Sequence, residues 1–136
     1  MTYDELTYSI RGAIYEVYKA LGPGLLESVY EKALLHELKL RGLHPQNQVR
    51  IPLVYKDATL GADLIMDLLV NDSVVLELKS VETIMPVHKK QLLTYLKLAD
   101  KRIGYLVNFN ESDIDKGITH IVNNYDRFEI IPTTNI

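Results

Sequence analysis

Asp67 and the pair Glu77 and Lys79 stand inside two runs of Leu and Val, residues 64–70 and 74–78, and they constrain the chain more than any other feature. Short apolar runs of this kind read as neighbouring buried strands. An ionised group there is costly unless it is paired or holds a cation. Alternation along a strand puts Glu77 and Lys79 on one face, and whether Asp67 joins them depends on the loop between the runs. If Asn71 and Asp72 form a two-residue loop, Val70 faces Ser73 and Asp67 shares a face with Leu76. If the loop is Asn71, Asp72 and Ser73, Val70 faces Val74 and Asp67 lies opposite Glu77. Only an odd loop, or a bulge, assembles the three charges. In that register the two carboxylates can share an oxygen-seeking cation, the Leu78 carbonyl can turn to the same ion, and Lys79 can orient or deprotonate a water beside it. The plainer alternative is an ion-pair ladder in which Lys79 neutralises Glu77, and these residues alone leave both open.

The chain of 136 residues is the size of one ordinary domain, so a single domain over 1–136 is expected. It contains no cysteine, which excludes disulfides, thiolate metal sites and cysteine nucleophiles. A metal must therefore be held by oxygen or histidine, a donor set suited to magnesium or manganese rather than structural zinc. The first residues carry no basic and apolar leader, and no segment approaches the length of a membrane span, so a cytoplasmic protein without membrane contact is expected. A formal charge of −3 argues against a general high-affinity nucleic-acid binder but leaves room for an enzyme that holds a few phosphates. Lys89, Lys90, Lys97, Lys101 and Arg102 cluster in one segment, which reads first as a solvated helix face.

Apolar residues at helical spacing, Leu6, Ile10, Ile14, Val17, Tyr18 and Leu21, predict an amphipathic helix over residues 4–21, broken by Gly22, Pro23 and Gly24. A second helix is predicted over residues 25–41, with Val29, Ala33 and Leu40 near the middle of its apolar stripe and Gly42 as its stop. Residues 48–55 alternate as a strand, 56–59 read as a turn, and 64–70 and 74–78 complete an antiparallel meander. Pro86 suits the first position of a third helix, continued by residues 88–99 with Leu92, Leu93, Leu96 and Leu98. Further strands are predicted over 103–109, 118–122 and around 128–131. The pattern describes an α/β or α+β fold, a sheet flanked by helices, in which the third helix makes a crossover starting where Glu77 and Lys79 end.

Four more positions bear on chemistry. Glu27 falls in the first turn of the second helix, where a carboxylate also complements the helix dipole. Gln91 and Tyr95, four apart on the third helix, present an amide and a phenol on one side, able to bond phosphate oxygens, base edges or an active-site carboxylate. His88, one turn before Gln91, can meet a phosphate, though a lone helix histidine is more often solvated.

With these residues placed, the chain resembles the GxxExxY family of the PD-(D/E)XK nuclease superfamily over about residues 5–122. Gly24, Glu27 and Tyr30 match the naming motif, Asp67 with Glu77 and Lys79 matches the superfamily core, and Gln91 with Tyr95 resembles the QxxxY motif of RecB-type nucleases. The resemblance implies a restriction-endonuclease-like mixed sheet, with Glu27, Asp67 and Glu77 as magnesium ligands and Lys79 assisting the water. Met66 stands where the superfamily name has proline, and Ile65 where the family often has an arginine.

The function expected is a magnesium- or manganese-dependent nuclease, a hydrolase of DNA phosphodiesters acting in repair or defence. Lacking a basic face, it would need a protein partner or a homo-oligomer to hold DNA well. Two rivals stay open: a non-catalytic module binding nucleic acid or protein on the same fold, and a metal-dependent hydrolase of nucleotides or other phosphoesters.

Overall fold

Thr2 sets the start of the first helix. Its hydroxyl accepts from the Glu5 N–H (3.1 Å) while the Glu5 carboxylate accepts from the Thr2 N–H (3.3 Å), a reciprocal cap that satisfies two otherwise unpaired donors. The computed structural model describes residues 1–123. Helix α1 (Tyr3–Leu21) buries Leu6, Ile10, Ala13, Ile14 and Val17. Helix α2 (Glu27–Leu40) buries Tyr30, Leu34 and Leu38, so its stripe is not centred on Val29, Ala33 and Leu40: Val29 and Leu40 face solvent. The rotation follows from Tyr30, whose ring inserts fully and stacks on Phe109 with centroids 4.3 Å apart. Gly42, with φ 78°, ends the helix as expected.

Strands β1 (Pro45–Tyr55), β2 (Ala58–Val70) and β3 (Val74–Lys79) form the antiparallel meander. The first two are longer than their hydrophobic patterns indicate. Ala58 and Thr59, expected in a turn, pair with Tyr55 and Val54. Only Lys56 and Asp57 turn, both with positive φ, as a tight two-residue hairpin requires. Helix α3 (Pro86–Leu98) crosses over to β4 (Ile103–Asn108), which runs parallel to β3. A short α4 (Ile114–Gly117), absent from the periodicity, leads into β5 (Ile118–Val122), antiparallel to β4. The strand expected around residues 128–131 lies outside the described residues.

The five-stranded sheet has the order β1-β2-β3-β4-β5. One face, with Leu68, Val70, Leu76, Leu78 and Val107, packs on α1 and α2. The other, with Met66, Leu69, Val75 and Leu106, packs on Leu92 and Leu96 of α3; Leu98 is exposed. Met66 and Leu68 are two apart yet belong to opposite cores, so the alternation of β2 changes phase at Asp67. Opposite, Gln48 takes φ 51° and the β1–β2 ladder skips from Asn47–Leu68 to Val49–Met66. The sheet is therefore irregular where the candidate site lies.

Candidate metal centre

The Asn71, Asp72 and Ser73 loop has three residues. Val70 pairs with Val74 and Leu68 with Leu76, the register that brings Asp67 level with Glu77. There the ordinary ladder gives way to side chains. The Asp67 N–H donates to Glu77 Oε2 (2.8 Å), and the Leu78 N–H donates to Asp67 Oδ2 (2.8 Å). Each carboxylate takes a peptide donor from the opposite strand, which fixes both rotamers without a loop or lid.

Burial sets the protonation of this pair. Desolvation, then the Asp67 carboxylate, pushes the Glu77 carboxyl up to about 8, against the lowering effects of the Asp67 N–H and Lys79. Asp67 is also raised, chiefly by desolvation and further by Glu31 and Glu27, against its bond from Leu78 and the charge of Lys79. Lys79 is half-buried and lowers both carboxyls, but the ion pairs among the described residues, Arg41–Glu37, Arg50–Asp63 and Lys101–Asp72, do not include it. The arrangement is short of positive charge. Hard carboxylate oxygens in a deficit of this kind fit a divalent cation such as magnesium or manganese, which completes its shell with water.

Glu27 approaches from α2. Gly24, with φ 97°, makes the bend before the helix. The buried Tyr30 hydroxyl donates to the Gly22 carbonyl and accepts from the Leu25 N–H (3.1 Å). This corner meets the strand exit through Ser80, whose hydroxyl donates to the Leu25 carbonyl (2.6 Å) and whose N–H donates to Glu27 Oε2 (3.4 Å). Glu27 thus borders the site and turns toward Ser80. Among the described residues no three Asp, Glu or His side chains are gathered closely enough to hold an ion by themselves. Asp67 and Glu77 form the close pair, and Glu27 is the outlying carboxylate.

A cleft of about 380 Å³ is lined by Glu27, Ser28, Glu31, Gln48, Asp67 and Leu78. Glu31 escaped the sequence reading, although it lies four residues after Glu27 and so on the same side of α2. Its carboxylate accepts from Gln48 Nε2 (2.7 Å) and Asn47 Nδ2 (3.4 Å). Asn108 escaped it too. Fully buried at the end of β4, its side chain accepts from the Val81 N–H (3.1 Å) and donates to the Val81 carbonyl (2.9 Å). The Phe109 N–H donates to the Lys79 carbonyl (2.9 Å), so residues 79–81 are held on both sides of Ser80. In the sequence Asn108 is only an amide at the end of an apolar run, which does not tell a buried partner from water.

Gln91 and Tyr95 do meet: Gln91 Nε2 donates to the Tyr95 hydroxyl (3.1 Å). The Tyr95 phenol is raised by desolvation and then by the charges of Glu77 and Asp67, and its ring packs on the core that holds Met66, Leu92 and Leu96. His88 serves its own helix, accepting from the Met85 N–H through Nδ1 (2.9 Å). Lys89, Lys90 and Lys97 are exposed, while Lys101 is tied to Asp72 (3.2 Å).

A mixed five-stranded sheet flanked by helices, with the half-buried Asp67 and the buried Glu77 and a lysine on adjacent strands, defines a restriction-endonuclease-like fold. The family model of the PD-(D/E)XK nuclease superfamily matches residues 4–121, and the chain belongs to that superfamily. No match is found among curated proteins or among solved structures. Nucleases of this superfamily generally use divalent metal ions, and membership points to nuclease activity on a nucleic acid. Among the described residues no helix is long and apolar enough to cross a membrane.

Proposed function

We propose that the chain is a magnesium- or manganese-dependent nuclease that hydrolyses DNA phosphodiester bonds. The observation that carries this reading is the opposed pair Asp67 and Glu77, interlocked through the Asp67 and Leu78 N–H groups, with Lys79 two residues further on. Asp67, Glu77 and the Leu78 carbonyl would hold the cation, with Glu27 of α2 at the border of the site. The bound cation supplies Lewis acidity to the phosphoryl oxygen and lowers the pKa of the attacking water. Lys79 orients or deprotonates that water, and Gln91 and Tyr95 hold the nucleic acid or the carboxylate pair by hydrogen bonds. The match of Gly24, Glu27 and Tyr30 to GxxExxY proteins and of Gln91 and Tyr95 to the RecB-type motif supports the same roles, and action in repair or defence follows from that likeness.

One observation favours a second reading, a non-catalytic binding module. The carboxylates already accept peptide N–H groups, as a purely structural staple would. Incubation of supercoiled and single-stranded DNA with the wild-type chain in manganese, beside Lys79→Ala and an EDTA control, separates the two. Cleavage that needs both metal and Lys79 is expected. Intact DNA, with no manganese bound by the wild type, would transfer the assignment to the module.

A further inference from the structure

Glu27 is the first residue of α2, and what keeps it beside the end of β3 deepens the nuclease reading, on which this inference rests. Helix starts fray unless their free N–H groups find partners. Thr2 caps α1, but the corresponding residue before α2 is Leu26, which makes no side-chain cap bond and is 74% exposed. Gly22 and Gly24, both at positive φ, form the turn that precedes it. The end of α2 that carries Glu27 is therefore not fixed by its own cap. Two hydroxyls hold it at Leu25 instead. The Tyr30 hydroxyl accepts from the Leu25 N–H (3.1 Å), tying Leu25 back to the same helix, and the Ser80 hydroxyl donates to the Leu25 carbonyl (2.6 Å), tying it to the sheet.

Ser80 is itself immobilised. Lys79 and Asn108 form the last rung of the parallel β3–β4 ladder, and the Phe109 N–H donates to the Lys79 carbonyl just beyond it (2.9 Å). The buried Asn108 side chain then stands in for one more rung, accepting from the Val81 N–H (3.1 Å) and donating to the Val81 carbonyl (2.9 Å). With Lys79 and Val81 both held from β4, Ser80 has little freedom to leave the sheet. Of its two bonds to the α2 corner, the hydroxyl bond is at the short end of the normal range, whereas its N–H lies 3.4 Å from Glu27 Oε2, longer than a good N–H···O bond. The hydroxyl is thus the stronger link, and it acts on Glu27 by fixing the start of the helix. We propose that Ser80 is a positioning residue of the site, its hydroxyl setting the uncapped start of α2, and so the Glu27 carboxylate, against the strand end that carries Lys79 and the Leu78 carbonyl. Displacements of about 1 Å remote from the chemistry can cost roughly a hundred-fold in rate, and lost outer partners of a metal roughly ten- to a hundred-fold in affinity or activity.

The test compares wild type, Ser80→Ala and Ser80→Thr, alone and combined with Glu27→Gln. Manganese affinity is read by titration calorimetry, and kcat and KM by cleavage of supercoiled DNA in saturating manganese. Ser80→Ala should weaken manganese binding and lower kcat about ten-fold each, with KM for DNA unchanged. Ser80→Thr, which keeps the hydroxyl, should restore both. Combined with Glu27→Gln, Ser80→Ala should add little, because the two changes act through one carboxylate. In EDTA, amide exchange at Val29 and Tyr30, whose N–H groups donate to the Leu26 carbonyl in the first turn of α2, should be faster in Ser80→Ala than in wild type. The proposal is overturned if Ser80→Ala binds manganese and cleaves as wild type does, even where exchange is faster, since the bond would then serve the fold alone. It is also overturned if Ser80→Thr is as impaired as Ser80→Ala, or if the loss is undiminished in the Glu27→Gln background. A wild type that cleaves, beside an equally active Ser80→Ala, removes this role and keeps the nuclease; a wild type that neither binds manganese nor cleaves removes both.

Discussion

Glu77 keeps its proton near neutral pH because its charge would be desolvated and would face Asp67. The sign of the resulting pH dependence is definite. Between the ordinary value of 4.5 and the folded value of about 8, the unfolded chain releases this proton and the folded chain retains it. In EDTA, stability is therefore full below the lower value and falls as pH rises to the upper one, by on the order of a few kcal/mol. Glu77→Gln retains an acceptor for the Asp67 N–H and removes the titration. Its urea midpoint should be nearly flat over that interval while the wild type declines; parallel curves would show that Glu77 ionises normally. This pair was legible in the sequence because carboxylates inside Leu and Val runs have few explanations. Glu31, Gln48 and Asn108 were not, since a polar residue on a helix flank or a strand end looks the same whether it meets water or a neighbour.

Elements were read correctly where burial imposes a period. The first helix has five buried positions on one stripe, and its limits were legible to within a residue. The β1–β2 ribbon was shortened because residues 58–63 are exposed; their strand character comes from pairing with β1, which leaves no alternation to find. The stripe of α2 was misphased for a related reason. Tyr30, with its hydroxyl, looks amphipathic, yet it is the buried centre of the element, its polar end closing the corner between α1 and α2. Tyr30→Phe preserves the stack on Phe109 and leaves the Gly22 carbonyl and Leu25 N–H without that partner. A loss of about 1–3 kcal/mol is expected, with faster hydrogen exchange at the Leu25 amide. Unchanged exchange there would mean that the Ser80 bond to Leu25 holds the corner unaided.

At the scale of the whole molecule the carboxylate pair lies at a seam. Glu27 and Glu31 come from the helix layer on one face of the sheet, Tyr95 from the helix on the other, and Asp67 sits where β2 changes phase between the two cores. Such a seam gathers negative charge from elements that otherwise have no reason to meet, so the apo fold carries repulsion that a cation relieves. Binding to the folded state alone raises stability by about 2.7 kcal/mol at a hundred-fold excess over Kd. For a chain of this length that is a rise in Tm of roughly 5–10 °C. Manganese should therefore raise the Tm of the wild type by that amount over EDTA. In Asp67→Asn, which removes both a ligand and a repulsive charge, the Tm in EDTA should equal or exceed that of the wild type, and the response to manganese should vanish. Tyr55→Ala, on the distant ribbon tip, should keep the full response. A metal response that survives Asp67→Asn would place the cation elsewhere and leave the seam a structural feature of the fold.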